Sequence, residues 1–461
     1  MQARLIIKNF GPLRDIDVEL RNVNVLIGAQ ASGKSALAKL YTICKSPLAF
    51  INKPANPLAI MEPGNKNGAE KNFKTTLEEY NILTFLEANT FIEFDSPVHY
   101  FKYENETISY KRKLLDEIAT LEKLWTPEQN NRQQIGEMLW DFREKLFHFF
   151  IFFNSFTSER IKEPHNYSKE KFIHSLITSN YTEDQITGII GNIKSIEENL
   201  QSNTALYIPA ERNFVPIIKG ASLSLQKNNV PIPKHILSFA AEYEKAAFSV
   251  TEMDLSFVGQ GLKYINEGGI DQIQIDIDTK IKLTQAASGL QSIVPLLLPI
   301  LNQKKLDENE HKSFVIEEPE LNLFPLTQYE LVKMLEQGRK NPFSGTEDYG
   351  IIHTYTTHSP FILSAFNNLL FASKVQAIIA KQLNKTVSKE KPDPYLIAWT
   401  KIRKIVPVFI SLDNFSAYQL ANGKAESIVE NGLIKENFID QTSDKLGEDF
   451  EALMDLLDQY K

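Results

Sequence analysis

The stretch that most constrains this chain is residues 23–40, VNVLIGAQASGKSALAKL. An apolar run ends at Gly28, four residues Ala29-Gln30-Ala31-Ser32 follow, and Gly33-Lys34-Ser35-Ala36 opens a helix-forming tail. This is the pattern GxxxxGK[ST] set between a strand and a helix. Glycines at both ends let such a loop wrap until its backbone N–H groups converge, and the helix behind it turns its positive end to the same point. A nucleoside triphosphate fits that cradle. Lys34 supplies a charge for the β and γ phosphates, Ser35 a hydroxyl for Mg²⁺, and Gly28, Gln30, Ala31, Ser32, Gly33 and Ala36 the surrounding loop.

Composition narrows the class further. A chain of 461 residues has room for roughly two to four domains. With 43% hydrophobic and 23% charged residues it reads as an ordinary globular protein. No run approaches the ~18 apolar residues of a membrane span, and MQARLIIKNF reads as a strand rather than a signal peptide. The lone Cys44 excludes a disulfide within the chain and any CxxC metal knuckle. The expectation is a cytoplasmic protein with no membrane partner. A formal net charge of −8 means that a DNA contact would need a local basic patch. Lys111-Arg112-Lys113 and Lys401, Arg403, Lys404 are the candidates, and each reads first as a solvated face.

Residues 3–8, 15–20 and 23–28 are expected as short strands, followed by a helix over 36–41 and an exposed Pro-, Asn- and Gly-rich connection over 46–68. Alternation over 90–109 predicts an antiparallel meander with a turn at Asn105-Glu106. From 111 to 201 the spacing turns helical, with Leu114, Ile118, Leu121 and Trp125 separated by four, three and four. The aromatic run FHFFIFF at 147–153 suits either a buried helix core or an association surface. Residues 206–208 return as a strand, 236–250 as a helix, and 273–283, IQIDIDTKIKL, as one alternating strand. Residues 313–316 and 351–355 are expected as buried strands around a helix at 326–337. Strands and helices alternating around a phosphate loop make an α/β core.

Three more segments carry chemistry. FVIEE at 314–318 delivers two carboxylates at the C-terminal end of an apolar strand, where ligands of open α/β sheets gather. Glu317 is assigned to the metal shell and Glu318 to the attacking water. In ASGLQS, 287–292, Ser288 can cap a helix and with Gly289 expose N–H groups able to bind a γ-phosphate. TTHSP at 356–360 follows a buried strand and puts His358 at the same sheet edge.

In this order GAQASGKS, ASGLQS, FVIEEPELNLFP and TTHSPFIL resemble the phosphate loop, signature, acidic strand and histidine switch of ATP-binding-cassette (ABC) ATPases, and more narrowly of their soluble chromosome-maintenance (SMC-like) and OLD- and RecF-related members. The resemblance implies an α/β fold, an ABC-type P-loop ATPase head with an antiparallel β lobe and an inserted helical subdomain. Its parts would be an N-terminal lobe over 1–112, a helical insertion over 113–204, a second lobe over 205–380 and an extension over 381–461 that completes the head. It also implies ATP hydrolysis with Mg²⁺ by a homodimer or higher homo-oligomer. ATP bound at Lys34 and Ser35 of one copy would be capped by Ser288 and Gly289 of the other. Ser35 and Glu317 would hold the metal, Glu318 would activate water and His358 would sense the γ-phosphate. Glu317 stands where Asp is usual in that superfamily, the insertion is short for a tethering coiled coil, and no glutamine-loop residue is recognisable.

YIPAERNF at 207–214 and YQLANGKAES at 418–427 are similar to segments of the ATPase subunits of the phage-defence systems Septu and PARIS. Within the first, Arg212 either reaches the nucleotide or a partner head, or forms a structural pair with Glu211 or another acid. After Lys381 only SLDNF at 411–415 offers an acid in a nuclease-like setting, so an effector would be a separate protein, most simply a nuclease. The function expected is an ATPase whose ATP-driven dimerisation gates that effector. The alternatives are a DNA repair or chromosome-maintenance ATPase that binds DNA directly, and the soluble ATPase of a transporter.

Overall fold

A computed structural model describes residues 3–46, 66–97, 99–113, 205–219, 232–303, 313–339, 351–383 and 394–435, with isolated positions at 120, 137, 138, 451 and 454. The first strands, β1 (Ala3–Phe10) and β2 (Leu13–Leu20), bury Leu5, Ile7, Ile16 and Val18 on one face, the period-two signature of a half-buried pair. They pair antiparallel. β3 (Val23–Gly28) is different, with four consecutive buried residues, as expected of a strand covered on both faces. It leads through the phosphate loop into α1 (Lys34–Lys45).

After α2 (Lys66–Glu79), the strands β4 (Leu86–Asp95), β5 (His99–Glu104) and β6 (Thr107–Arg112) form a meander beside β1. Its last turn has both Asn105 and Glu106 at positive φ, as a tight hairpin requires. The described chain resumes at β7 (Ala205–Ile208) and α3 (Lys234–Ser249), then forms a small second sheet of β8 (Glu252–Asp254), β9 (Lys263–Glu267), β10 (Ile270–Gln274) and β11 (Lys280–Lys282). α4 (Ser288–Gln303) leads to β12 (Ser313–Glu317), α5 (Pro325–Arg339), β13 (His353–Thr357) and α6 (Pro360–Leu383). α7 (Pro394–Ile405) and the hairpin of β14 (Phe415–Ala421) and β15 (Lys424–Ser427) follow.

The main sheet runs β6-β5-β4-β1-β2-β15-β14-β3-β13-β12-β7 among the described residues. Its β14-β3-β13-β12-β7 half is parallel. The phosphate-loop strand therefore lies between β13 and β14, both distant in sequence. Alternate residues of the same strands feed two apolar cores. Val23, Ile208, Phe314 and Ile316 face one core with α3 to α6; Leu26, Tyr207 and Val315 face the other with α1 and α2. A buried polar cluster locks α5 to β13: Glu336 accepts bonds from Arg339 Nε at 2.9 Å and from the Tyr355 hydroxyl at 2.7 Å, with His353 Nδ1 at 3.1 Å.

Three sequence expectations change. Residues 273–283 are not one strand but two, β10 and β11, because the Asp276 carboxylate accepts the N–H groups of Asp278 and Thr279 and turns the chain back. Lys111 and Arg112 belong to β6 rather than to a helix. Among the described residues one helix is long and apolar enough to cross a membrane by length and composition, the stretch Pro360–Ile379 of α6. Its apolar character serves the core, since Ile362, Leu363, Phe366, Leu369 and Leu370 are buried there. The helical insertion expected over 113–204 lies almost wholly outside the described residues.

Candidate nucleotide site

Parallel pairing gathers the site. Glu317 aligns with Thr356, and Thr357 with Ile27, so the ends of β12, β13 and β3 deliver the acids, the histidine and the phosphate loop to one sheet edge. The loop is tightly enclosed. Gly33 has φ +97°, and a Cβ there would come within 2.7 Å of Leu13; one on Gly28 would come within 2.5 Å of the Leu420 carbonyl of β14. Ala31 also takes a left-handed φ of 63°, while Gln30, Ala31 and Ser35 are exposed and Ala36 is buried.

The Lys34 ammonium is buried and donates to the carbonyls of Gly28 and Ala29, each at 2.9 Å, with Ser32 Oγ at 3.5 Å. Burial lowers its pKa, and the charges of Glu318, Glu320 and Glu317 oppose that shift. Lys34 Nζ also lies 3.5 Å from His358 Nδ1, and His358 Nε2 lies 3.5 Å from Glu318 Oε1. An ammonium facing Nδ1 makes that nitrogen the acceptor and leaves the proton on Nε2, directed at Glu318. Lysine, histidine and acid thus form one line.

Glu317 is buried, and Ala210 N–H approaches its Oε2 at 3.4 Å. Burial raises its pKa, while Tyr207, Ser35 and Lys39 pull it down and Glu211 pushes it up. Its Oε1 is buried with no hydrogen-bond partner. A buried orphaned carboxylate oxygen beside the Ser35 hydroxyl is a donor pair suited to a hard divalent cation.

Sequence reasoning missed Glu320 as more than part of an acidic turn. Its Oε1 accepts the His358 N–H and the Thr357 hydroxyl, both at 2.7 Å, and so fixes the histidine backbone. The signal available was its position two residues beyond the acid pair. Arg212 also departs from both expectations. It is fully buried and bonds to main-chain carbonyls rather than to a nucleotide or an acid side chain. Ser288 and Gly289 sit at the start of α4, where Ser288 is exposed and Gly289 lies against the Asn322 backbone. Among the described residues no hydrogen bond joins either to the phosphate loop of the same chain. Lys401, Arg403 and Lys404 are exposed on α7.

Among curated proteins no match is found. Among solved structures the chain is similar to the Smc head domain with an extended coiled coil, bound to the C-terminal domain of ScpA, from Pyrococcus furiosus. The identity is 9%, the match covers 98% of this chain and 100% of that one, and the TM-score is 0.33. It is also similar to the recombination mediator protein RecF of the RecFOR pathway, at 11% identity, with 93% and 98% coverage and a TM-score of 0.30. The profile of the AAA ATPase domain family matches residues 1–363, which include the phosphate loop, the two acids and His358. The chain belongs to the AAA ATPase domain family.

Proposed function

We propose that this ATPase is a Mg²⁺-dependent enzyme of the ABC type in which two copies close head to tail around ATP and thereby control a separate effector, a nuclease, in phage defence. The observation that carries the chemistry is the line from Lys34 through His358 to Glu318, with Glu317 and Ser35 beside it. Lys34, withdrawn from the loop carbonyls, donates to the β and γ phosphates. Glu317 and Ser35 would hold Mg²⁺, which when bound neutralises phosphate charge. Glu318 accepts the proton of the attacking water, and His358 Nε2–H steadies its carboxylate. Ser288, exposed, and Gly289, half-buried beside it, have no hydrogen bond to their own phosphate loop among the described residues and suit a γ-phosphate presented by a second copy. Support for the defence role is the sequence resemblance of YIPAERNF and YQLANGKAES to phage-defence ATPases.

Glu318→Gln should lower kcat by at least about a hundredfold while ATP still binds, and should accumulate an ATP-bound dimer in light scattering. Wild-type turnover by that variant would overturn the assignment of Glu318. For the defence role, cells carrying the gene with its neighbours should survive phage challenge, and Lys34→Ala should remove the protection. Equal survival of both strains would remove the proposal. A direct DNA role finds support in exposed Lys401, Arg403 and Lys404 on α7. It would show as DNA affinity that falls steeply with salt and weakens when these three are changed to alanine.

A further inference from the structure

Arg212 has no exposed surface, yet among the described residues its guanidinium makes no direct ion pair with an acid. Nη1 donates to the Glu317 carbonyl at 2.6 Å and to Pro209 at 3.2 Å, Nη2 donates to the Glu318 carbonyl at 2.7 Å, and Nε donates to the Ser292 carbonyl at 3.1 Å. One planar fork thus joins three segments: the turn after β7, the end of β12 and the first turns of α4. The carbonyls it holds include that of Glu318, a residue other than glycine with φ +41°, whose N–H is fixed in turn by the Thr356 carbonyl at 2.9 Å. A left-handed backbone at such a residue persists only where its surroundings over-determine it.

A second tie runs between the same segments. Asn322, also left-handed at φ 61°, donates through Nδ2 to Ser292 Oγ at 3.2 Å. Gly289 packs so closely on that loop that a Cβ would meet the Asn322 carbonyl at 2.9 Å. The exposed helix start carrying Ser288 and the loop carrying Glu318 are therefore one braced unit.

We infer that Arg212 is a positioning residue that couples the Ser288 end of α4 to the backbone of Glu318, so that the partner copy's triphosphate docking at Ser288 sets the Glu318 carboxylate for attack on the ATP held at Lys34 of its own chain. The inference rests on the roles proposed above for Glu318 and Ser288. A lysine would keep the charge but, as a single point donor, cannot span the carbonyls of Ser292, Glu317 and Glu318 at once. Small misplacements of a reacting group are costly even when binding is intact.

Arg212→Lys and Ser292→Ala in the full chain test this, with ATP affinity, kcat and Tm measured on each. Arg212→Lys is expected to lower kcat by at least about tenfold with the Kd for ATP changed less than about threefold. Ser292→Ala, which removes only the Asn322 tie, should lower kcat by about threefold at unchanged Kd, and it carries the test if the lysine variant does not fold. Unchanged kcat in the folded variants would overturn the coupling. So would a parallel fall of Tm, ATP affinity and kcat, which marks a brace of the fold alone. Loss of kcat in Glu318→Gln alongside wild-type kcat in Arg212→Lys would sink this inference and leave the proposed function standing.

Discussion

Gly33 illustrates how much of this site is decided one residue at a time. Its φ of +97° strains any side chain, and a Cβ there would also displace the tip of Leu13, 2.7 Å away. Gly33→Ala is expected to cost about 1–2 kcal/mol of stability from the left-handed backbone alone, and to weaken ATP binding as the loop opens. Thermal unfolding and nucleotide titration would check both parts. Lys34, Ser35, Glu317, Glu318 and His358 could be singled out as candidates in the sequence because each chemistry proposed for them needs one residue type at a fixed place after a strand. Arg212 was not. Nothing in Pro209-Ala210-Glu211-Arg212 signals that its arginine is buried, since a guanidinium satisfied by main-chain carbonyls has no partner visible in the sequence. Glu320 left only its place two residues beyond the acid pair as a trace, because its work is to hold a backbone N–H just past the end of another strand.

Elements carry their own polar locks, and the one between α5 and β13 responds to pH. Burial pushes the Glu336 carboxyl up, but Arg339, His353 and Tyr355 outweigh it and hold the pKa at about 2. A carboxyl depressed in the folded state stabilises the protein fully above its unfolded value and loses that contribution as pH falls toward the folded one. Stability should therefore decline between about pH 4.5 and 2, followed by denaturant unfolding across that range. Glu336→Gln should flatten this part of the profile while costing about 3–5 kcal/mol at neutral pH, as removal of the carboxylate from a buried charged pair does. Element type was readable where periodicity is strong, as in β1, β2 and α1. It failed at 273–283, where the alternation of IQIDIDTKIKL runs straight through a turn made by the Asp276 side chain. Periodicity counts apolar positions and is blind to a carboxylate that captures two N–H groups.

At the scale of the whole molecule the proposed composite site makes a quantitative demand. Lys34→Ala and Ser288→Arg should each be inactive alone, and an equimolar mixture should recover activity up to a ceiling of about a quarter of wild type, because half of random dimers are mixed and each holds one intact site of two. A mixture as inactive as its parts, eluting as monomers with ATP present, would place the whole site within one chain. The α/β class was legible from the alternation of strands and helices, but the insertion of β14 and β15 between β2 and β3 was not. Residues 415–421 show no regular alternation, and a parallel pairing across nearly 400 residues leaves no local trace. That arrangement has a consequence for synthesis. β3 leaves the ribosome more than 300 residues ahead of β13 and nearly 400 ahead of β14, the two strands that flank it. At ~5–20 residues per second, β3 waits roughly 20–80 s for β14. During translation the phosphate loop is thus a passenger without a seat, and a stop codon before residue 415 yields a chain whose β3 lacks its β14 neighbour.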